Sequence, residues 1–117
     1  MTIDNDYMFE IVSKQLENMS PLEKEVGYIP DFTYFWLQVE KWRRDPMHQD
    51  FSFQLTVLRM RFGRDGQILR SYKEIAEMYG FDYQTARNRA YQAIHRLKHP
   101  LHRQLWTNPL SNVWLYA

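Results

Sequence analysis

The chain has 117 residues, of which 44% are apolar and 16% aromatic, with no cysteine and a net charge of +1. This length suits one domain, or one domain with an arm, and the apolar content excludes a disordered chain. The lack of cysteine excludes disulfides and thiolate metal sites, and no apolar run approaches the length of a membrane span. Since the N-terminus lacks a signal-peptide pattern, we expect a cytoplasmic protein with no membrane partner.

The small net charge hides a strong asymmetry between the two halves of the chain. Residues 1–50 carry five Lys or Arg against ten Asp or Glu, a net charge of −5. Residues 51–117 carry ten against four, a net charge of +6. A phosphate backbone attracts a basic surface and repels an acidic one. The charge pattern therefore predicts nucleic-acid contact in the C-terminal half and protein contact in the N-terminal half.

Apolar spacing and capping residues predict four helices before Gly63. Ser20 and Glu23 form a capping box with proline between them, and Asp31 can cap the next helix. No segment alternates with period two for long enough to indicate a strand, so the predicted fold class is all-α. These helices are predicted over residues 3–19, 20–26, 32–44 and 50–62.

An aromatic stripe runs along the predicted helix over residues 32–44, and it has two interpretations. In the first it is core, because aromatic residues at helical spacing usually pack inside. In the second, part of it is an interaction surface, since the other side of the same helix is also apolar. The stripe consists of Phe32, Phe35, Trp36, Val39 and Trp42.

Residues 71–98 predict a helix, a turn and a second helix. Ser71 and Glu74 form another capping box, Gly80 suits a left-handed turn, and Asp82 can cap the second helix. The predicted buried face of the second helix carries Ala86, Ala90, Ala93, Ile94 and Leu97, and the opposite face carries Tyr83, Gln84, Arg87, Asn88 and Tyr91. Small alanines allow the close crossing of a helix-turn-helix.

The outer face of that second helix is open to two interpretations. Arg, Gln and Asn are the side chains that make paired hydrogen bonds with guanine and adenine edges in the major groove. The same residue types also cover ordinary solvated helix faces. The turn chemistry around Gly80 and the basic half of the chain favour DNA contact.

Catalytic and metal-binding patterns find little support in the sequence. His95, His99 and His102 have spacings of four and three residues, but Pro100 interrupts the helix between the second and the third. Without a cysteine or a nearby carboxylate at ligand spacing, we expect solvated or phosphate-facing histidines. No phosphate-binding loop or nucleophile motif occurs. We expect neither an enzyme nor a cofactor, and Gly63 to Gly66 is predicted to be a turn.

Two segments carry a resemblance to a known family. Residues 57–63, Val-Leu-Arg-Met-Arg-Phe-Gly, lead into the predicted helix-turn-helix, which ends on residues 96–100, Arg-Leu-Lys-His-Pro. This arrangement resembles domain 4 of the primary sigma factors of bacterial RNA polymerase, the part that reads the upstream promoter element. The resemblance covers about 44 of the 117 residues and says nothing about residues 1–50. It implies a C-terminal sigma-domain-4-like helix-turn-helix within a helical bundle.

The resemblance also implies site residues. Base contacts are expected from Tyr83, Gln84, Arg87 and Asn88; phosphate contacts from Arg61, Arg70, Ser71, Tyr72, Lys73 and Arg89; and contact with the flap of the polymerase β subunit from Leu55, Leu58, Met60 and Phe62. Arg87 would be the principal reader. The N–H groups at Ser71 and Tyr72 would hold phosphate by the helix-terminus effect. Tyr83 and Gln84 depart from the family, which usually has an arginine and a glutamate there, so the usual promoter element is not the expected target.

We expect a stand-alone sigma-domain-4-like transcription regulator, from a phage or mobile element or as half of a two-part sigma factor. Its expected partners are double-stranded DNA and RNA polymerase or a sigma factor. Residues before Phe51 are too few for the sigma domain that captures melted DNA, so the chain should not open a promoter by itself. The alternative is a protein-interaction module, such as a polymerase appropriator or antagonist, that keeps the fold without binding DNA. The expected divisions are an acidic region 1–50, the module 51–106, and an apolar tail 107–117 that packs on its own chain or pairs in a homodimer.

Overall fold

The computed structural model describes residues 18–47 and 49–107. Within these ranges it contains six helices and no strand, as the all-α prediction requires. No helix in this part of the chain is both long enough and apolar enough to cross a membrane. The helices are α1 (Pro21–Val26), α2 (Phe32–Arg43), α3 (Gln49–Arg61), α4 (Tyr72–Tyr79), α5 (Tyr83–Lys98) and α6 (Pro100–Thr107).

The first helices begin at the predicted capping residues. The Ser20 hydroxyl accepts the Glu23 N–H at 3.2 Å, and the Glu23 carboxylate accepts the Ser20 N–H at 3.0 Å. Asp31 accepts the Tyr34 N–H at 3.1 Å and so starts α2. These predicted starts are confirmed. The predicted helix over residues 3–19 lies outside the described residues apart from positions 18 and 19, which are not helical.

The larger of two apolar clusters joins α1, α2, α3, α5 and α6, and we call it the aromatic core. Trp106 packs edge to face on Phe35 with ring centroids 5.1 Å apart, and its indole N–H donates to the Leu97 carbonyl at 2.9 Å. Phe35 and Val39 of the α2 stripe are buried here, as the core interpretation predicts, whereas its other three residues are only partly buried. The cluster comprises Leu22, Val26, Ile29, Phe35, Val39, Phe51, Leu55, Leu58, Phe62, Ala93, Ile94, Leu97 and Trp106, with Phe32, Trp36 and Trp42 partly buried against it.

Helix α6 was not predicted. Pro100 ends α5, as expected, but it is also the first residue of the next helix, where its missing N–H costs nothing. The new helix packs against α2 and α5. Its contribution is Trp106, which is among the largest fully buried side chains of the described residues. A proline at the start of residues 100–107 was the signal that could have revealed this helix.

The smaller cluster lies under α4 and α5, and we call it the alanine core. It comprises Val57, Tyr72, Ile75, Ala76, Ala86 and Ala90, with Met60 and Phe81 partly buried against it. Helix α5 connects the two clusters, because Ala86 and Ala90 lie in the alanine core and Ala93 lies in the aromatic core. It packs against α1, α3, α4 and α6. The position of α5 is therefore fixed along its whole length.

The turn between α3 and α4 is held by the N-terminal helices. The Gly66 N–H donates to the Gly63 carbonyl at 3.0 Å, as the predicted turn requires. The Leu22 N–H donates to the Gly66 carbonyl at 3.0 Å, and the Trp36 indole N–H donates to the Arg64 carbonyl at 3.1 Å. Residues of α1 and α2 thus clamp the turn that leads into α4.

Candidate nucleic-acid interface

Helices α4 and α5 have the predicted start, turn and second start. The Ser71 hydroxyl accepts the Glu74 N–H at 3.1 Å. Gly80 ends α4 with φ 74°, a left-handed conformation that glycine adopts without steric cost. Asp82 accepts the Thr85 N–H at 2.8 Å and starts α5. Hydrogen bonding with the Thr85 side chain, and then with this backbone N–H, lowers the pKa of the Asp82 carboxyl. A three-residue turn therefore joins two helices with well-defined ends.

The small side chains between these helices let α5 lie close to its neighbours. Ala86 and Ala90 of α5 are fully buried, and Ala76 of α4 is nearly so. Because these residues occupy one side of α5, the opposite side is left to solvent. All four side chains predicted to contact bases are exposed, and the structure places them together on the first two turns of α5: Tyr83, Gln84, Arg87 and Asn88.

Arg87 is not isolated on this face. Its guanidinium carbon lies 5.0 Å from the ring centroid of Tyr91, one helical turn further on. A hydrogen bond with Tyr91 raises the pKa of Arg87 above its ordinary value. The side chain is thus held along the helix by a partner that leaves it cationic. Tyr91 was placed on this face by the sequence but had no predicted role.

A series of aromatic contacts connects Arg87 to the end of α3. The buried Tyr72 packs against Tyr83 and Tyr91, with ring centroids 6.1 Å and 6.5 Å away. The Arg61 guanidinium carbon also lies over the Tyr72 ring, 4.2 Å from its centroid. Burial raises the pKa of the Tyr72 phenol, so that it stays neutral beside the arginine. The buried Tyr72 therefore packs beneath the exposed face of α5 and helps to position Tyr83 and Tyr91.

Two of the predicted phosphate ligands hold the backbone instead. The Arg61 guanidinium donates to the Arg70 carbonyl at 2.9 Å, and the Arg70 guanidinium donates to the Met60 carbonyl at 3.3 Å. This exchange ties the end of α3 to the start of α4. Each guanidinium keeps further donors, because one carbonyl uses only one of its five N–H groups. Any contact with a phosphate would add to this structural role.

The start of α4 is also partly occupied. The Ser71 N–H donates to the Glu74 carboxylate at 3.2 Å. A phosphate that approached this N–H would have to displace a carboxylate of the same charge sign. Two other predicted groups can still contact a phosphate. They are the exposed Lys73 side chain and the N–H of Tyr72, the first residue of the helix.

Arg89 lies apart from the other predicted phosphate ligands. Its guanidinium carbon is 5.8 Å from the Phe53 ring centroid, and it donates to the Gln92 side chain at 3.1 Å. Phe53 packs against Tyr79 at the end of α4, whereas Arg61 and Arg70 are hydrogen-bonded between the end of α3 and the segment that leads into α4. The structure therefore does not bring Arg89 together with the group at the start of α4.

The residues predicted to contact polymerase lie mostly inside the protein. Leu55 and Leu58 are 0% exposed and Phe62 is 3% exposed, all within the aromatic core. Met60 is half-buried, and its sulfur accepts the Tyr79 hydroxyl at 3.2 Å. We correct the prediction of a contact surface for Leu55, Leu58 and Phe62, because their packing leaves no side-chain area for a partner. Their spacing on α3 reflected core packing.

An exposed aromatic group was missed by the sequence reasoning. Tyr79 stacks on Phe81 with centroids 5.6 Å apart, and Phe53 packs edge to face on both. Tyr79 and Phe53 are exposed, and the neighbouring Met78 is 59% exposed. These residues come from α3, α4 and the turn, so no single sequence pattern marks them. We call Phe53, Met78, Tyr79 and Phe81 the turn patch.

The three histidines do not form a metal site. The rings of His99 and His102 have centroids 6.2 Å apart. Among residues 18–47 and 49–107, no three His, Cys, Asp or Glu side chains lie close enough together to hold a metal ion.

No family model, curated protein or solved structure matches this chain. The resemblance to sigma domain 4 therefore stands on the residues quoted for it. What the interface does has to be argued from its own geometry and charge.

Proposed function

We propose that this chain is a stand-alone sigma-domain-4-like transcription regulator that binds double-stranded DNA through α5. The observation that carries the proposal is the exposed row of Gln84, Arg87 and Asn88 on a helix that is otherwise fixed by packing. These side chains can make paired hydrogen bonds with base edges, and they are not needed for the core. A helix held in this way is suited to entering the major groove.

Charge supports the same proposal. Residues 51–117 carry a net charge of +6, and this half contains α5 and both arginines at the end of α3. Contacts with phosphates would position the protein, and contacts with bases would give specificity. Tyr83 next to Gln84 presents an aromatic ring where the family usually has arginine, so the preferred site is expected to differ from the usual upstream element.

Replacing the principal reader tests this proposal. Arg87→Ala should cost on the order of 1–3 kcal/mol in binding a cognate site and should relax preference at one base pair. The site is first selected from random duplexes with the wild-type protein, and affinities are then compared in gel shifts at one salt concentration. Arg64→Ala removes the same charge from the exposed turn after α3 and should leave the base preference unchanged. Equal preferences for wild type and Arg87→Ala would refute the reader assignment.

The second candidate function is a protein-interaction module, and the turn patch favours it. Exposed aromatic and methionine side chains that adjoin each other are typical of protein interfaces. Under this proposal RNA polymerase or a sigma factor would bind at the turn patch, since three of the four predicted contacts, Leu55, Leu58 and Phe62, are buried. Met78→Ser with Tyr79→Ser should abolish recovery of polymerase subunits or a sigma factor in a pull-down from the host. Arg87→Ala should leave that recovery intact, and loss of recovery in both variants would argue against the patch.

A further inference from the structure

An open groove lies between α3 and α5, beside the exposed face of α5. It has a volume of about 430 Å³, which is more than ten times the roughly 30 Å³ that one water molecule occupies. It is continuous with the exposed face of α5, because Asn88 and Tyr91 belong to both. Its lining contains two basic residues and no carboxylate: Gln54, Asn88, Tyr91, Gln92, His95 and Arg96.

Arg96 is the fixed cation of this groove. Its guanidinium carbon lies 4.5 Å from the Phe51 ring centroid, and one nitrogen donates to the Gln54 side-chain oxygen at 3.3 Å. The ion pairs found in residues 18–47 and 49–107 both involve Glu40, so Arg96 has no carboxylate partner there. A guanidinium has five N–H donors. Arg96 therefore has donors left for an anion in the groove.

Hydrogen bonds within the wall fix the geometry around this cation. Gln54 is only 8% exposed, and its amide N–H donates to the Gln92 oxygen at 3.2 Å while its own oxygen accepts from Arg96. Gln92 also accepts from Arg89. Each amide is thereby oriented by a neighbour, which leaves the Arg96 guanidinium stacked on Phe51 with one edge towards the groove. A positioned, planar donor set of this kind suits the oxygens of a phosphate.

The helix geometry relates this groove to DNA. Arg96 is eight residues beyond Asn88, which corresponds to about 12 Å along the helix axis at 1.5 Å per residue. The major groove of DNA is also about 12 Å wide. If Asn88 contacts a base edge in the middle of the groove, Arg96 lies beyond the roughly 6 Å half-width of the groove and can reach the flanking backbone. Two other concavities beside Arg96 contain Asp50 and Asp45 respectively, so an anion is favoured on the Gln54 side.

We propose that Arg96, oriented by Gln54 and Phe51, binds a phosphate group in the groove between α3 and α5. The expected source is a phosphodiester of the DNA backbone, an assignment that rests on the proposed function. A free phosphate or a phosphorylated small molecule has the same chemistry. The site lies beyond the residues that the sigma resemblance implies, and it would extend the DNA footprint over the whole length of α5.

The test compares three variants for their salt dependence on a duplex of mixed sequence. Arg96→Gln should lower the slope of log affinity against log salt by about 0.9, the value for one phosphate, and should weaken all sequences alike. Arg96→Lys keeps the charge and should keep most of the slope. Arg64→Gln removes one charge outside the groove and should keep the wild-type slope. Circular dichroism melts establish that each variant is folded, because Arg96 also packs on Phe51.

A second measurement separates this site from the proposed function. Inorganic phosphate is titrated while the Gln54 side-chain amide is followed by NMR in wild type and Arg96→Gln. In one outcome the wild type binds no duplex, but phosphate shifts the Gln54 amide resonance only when Arg96 is present. The proposed DNA-binding function is then wrong, and the phosphate site is retained for a smaller ligand. If duplex binding persists and Arg96→Gln and Arg64→Gln have the same slope, the proposal is overturned. It is equally overturned if neither duplex nor phosphate binds.

Discussion

The aromatic core and the alanine core meet different packing requirements within one small protein. The aromatic core is filled by large side chains such as Phe35 and Trp106, contributed by five helices. The alanine core is filled mainly by small side chains, because α4 and α5 are joined by a short turn and must pass close together. Burial of large side chains supplies most of the stability of a domain. The comparison indicates that the aromatic core stabilises the protein and the alanine core sets how α5 is presented.

Removing the N-terminal helices should have the largest effect, because it takes away one side of the aromatic core. A fragment of residues 50–117 lacks five of its buried side chains, each worth about 1.5–3 kcal/mol, which together approach the roughly 5–15 kcal/mol stability of a whole domain. We expect this fragment to melt without cooperativity in circular dichroism, whereas the full chain melts cooperatively. A cooperative melt with DNA binding intact would instead make the N-terminal half an independent interaction region.

Trp106→Ala should be the most damaging single truncation. The indole packs on Phe35 and donates to the Leu97 carbonyl, so its loss leaves both a cavity and an unsatisfied acceptor. We expect a loss of about 3–5 kcal/mol in the free energy of unfolding, measured in urea. Leu101→Ala is the matched control, since Leu101 is in the same helix and 68% exposed, and it should change stability by less than about 0.5 kcal/mol. Similar losses in both variants would show that α6 contributes as a helix and not through its tryptophan.

Substitution of two glycines, one in the turn before α4 and one in the turn after it, should have different effects on stability. Gly66 and Gly80 both have positive φ, at 79° and 74°. A Cβ on Gly66 would come within 3 Å of Ser20 and Phe32, whereas a Cβ on Gly80 would meet no atom within 4 Å. Gly80→Ala should therefore cost about 1 kcal/mol for the left-handed backbone, and Gly66→Ala about 1–3 kcal/mol more for the clash. Equal thermal shifts in the two variants would contradict the clamp on the turn before α4.

Enlarging a side chain in the alanine core tests whether close packing sets the position of α5. Ala90→Leu adds volume at a fully buried position and should cost about 1–3 kcal/mol. It should also reduce selective DNA binding by more than the stability loss explains, because α5 would be pushed away from α4. Lys98→Leu makes the same helix more apolar at an exposed position outside the groove and is the control for stability. If folded Ala90→Leu keeps the wild-type base preference, close packing in the alanine core does not determine how α5 contacts bases.

The smallest expected effect is a pH dependence at the end of α2. Hydrogen bonds from Arg43, with a further contribution from Arg44, lower the pKa of Glu40 from 4.5 to about 2. A lowered folded-state pKa stabilises the protein above the unfolded pKa, and this stabilisation is lost as the pH falls from about 4.5 to about 2. Because the pair is partly exposed, its contribution should be below about 1 kcal/mol. The stability difference between wild type and Glu40→Gln should shrink over this range, and a difference that stays constant would contradict this prediction.

Local chemistry determined much of what the sequence predicted correctly. Ser20, Asp31, Ser71 and Asp82 start helices because each side chain satisfies a backbone N–H within three residues, and no tertiary contact is needed for that. The exposed face of α5 followed from the spacing of its alanines in the same way. Helix α6 escaped prediction because Pro100 both ends one helix and begins another.

Only the tertiary structure decided which apolar side chains are buried and which cations are free. Leu55, Leu58 and Phe62 have the spacing of a contact surface, yet they fill the aromatic core, because periodicity identifies a face but not what covers it. The turn patch and the groove beside Arg96 combine residues from separate helices, so their neighbours in sequence give no signal. For the same reason, the sequence does not reveal that the Arg61 side chain holds the Arg70 carbonyl and the Arg70 side chain holds the Met60 carbonyl. Hydrogen bonds at helix ends depend only on residues a few positions apart, so the sequence predicts them. Burial and side-chain contacts between helices depend on which segments fold against each other.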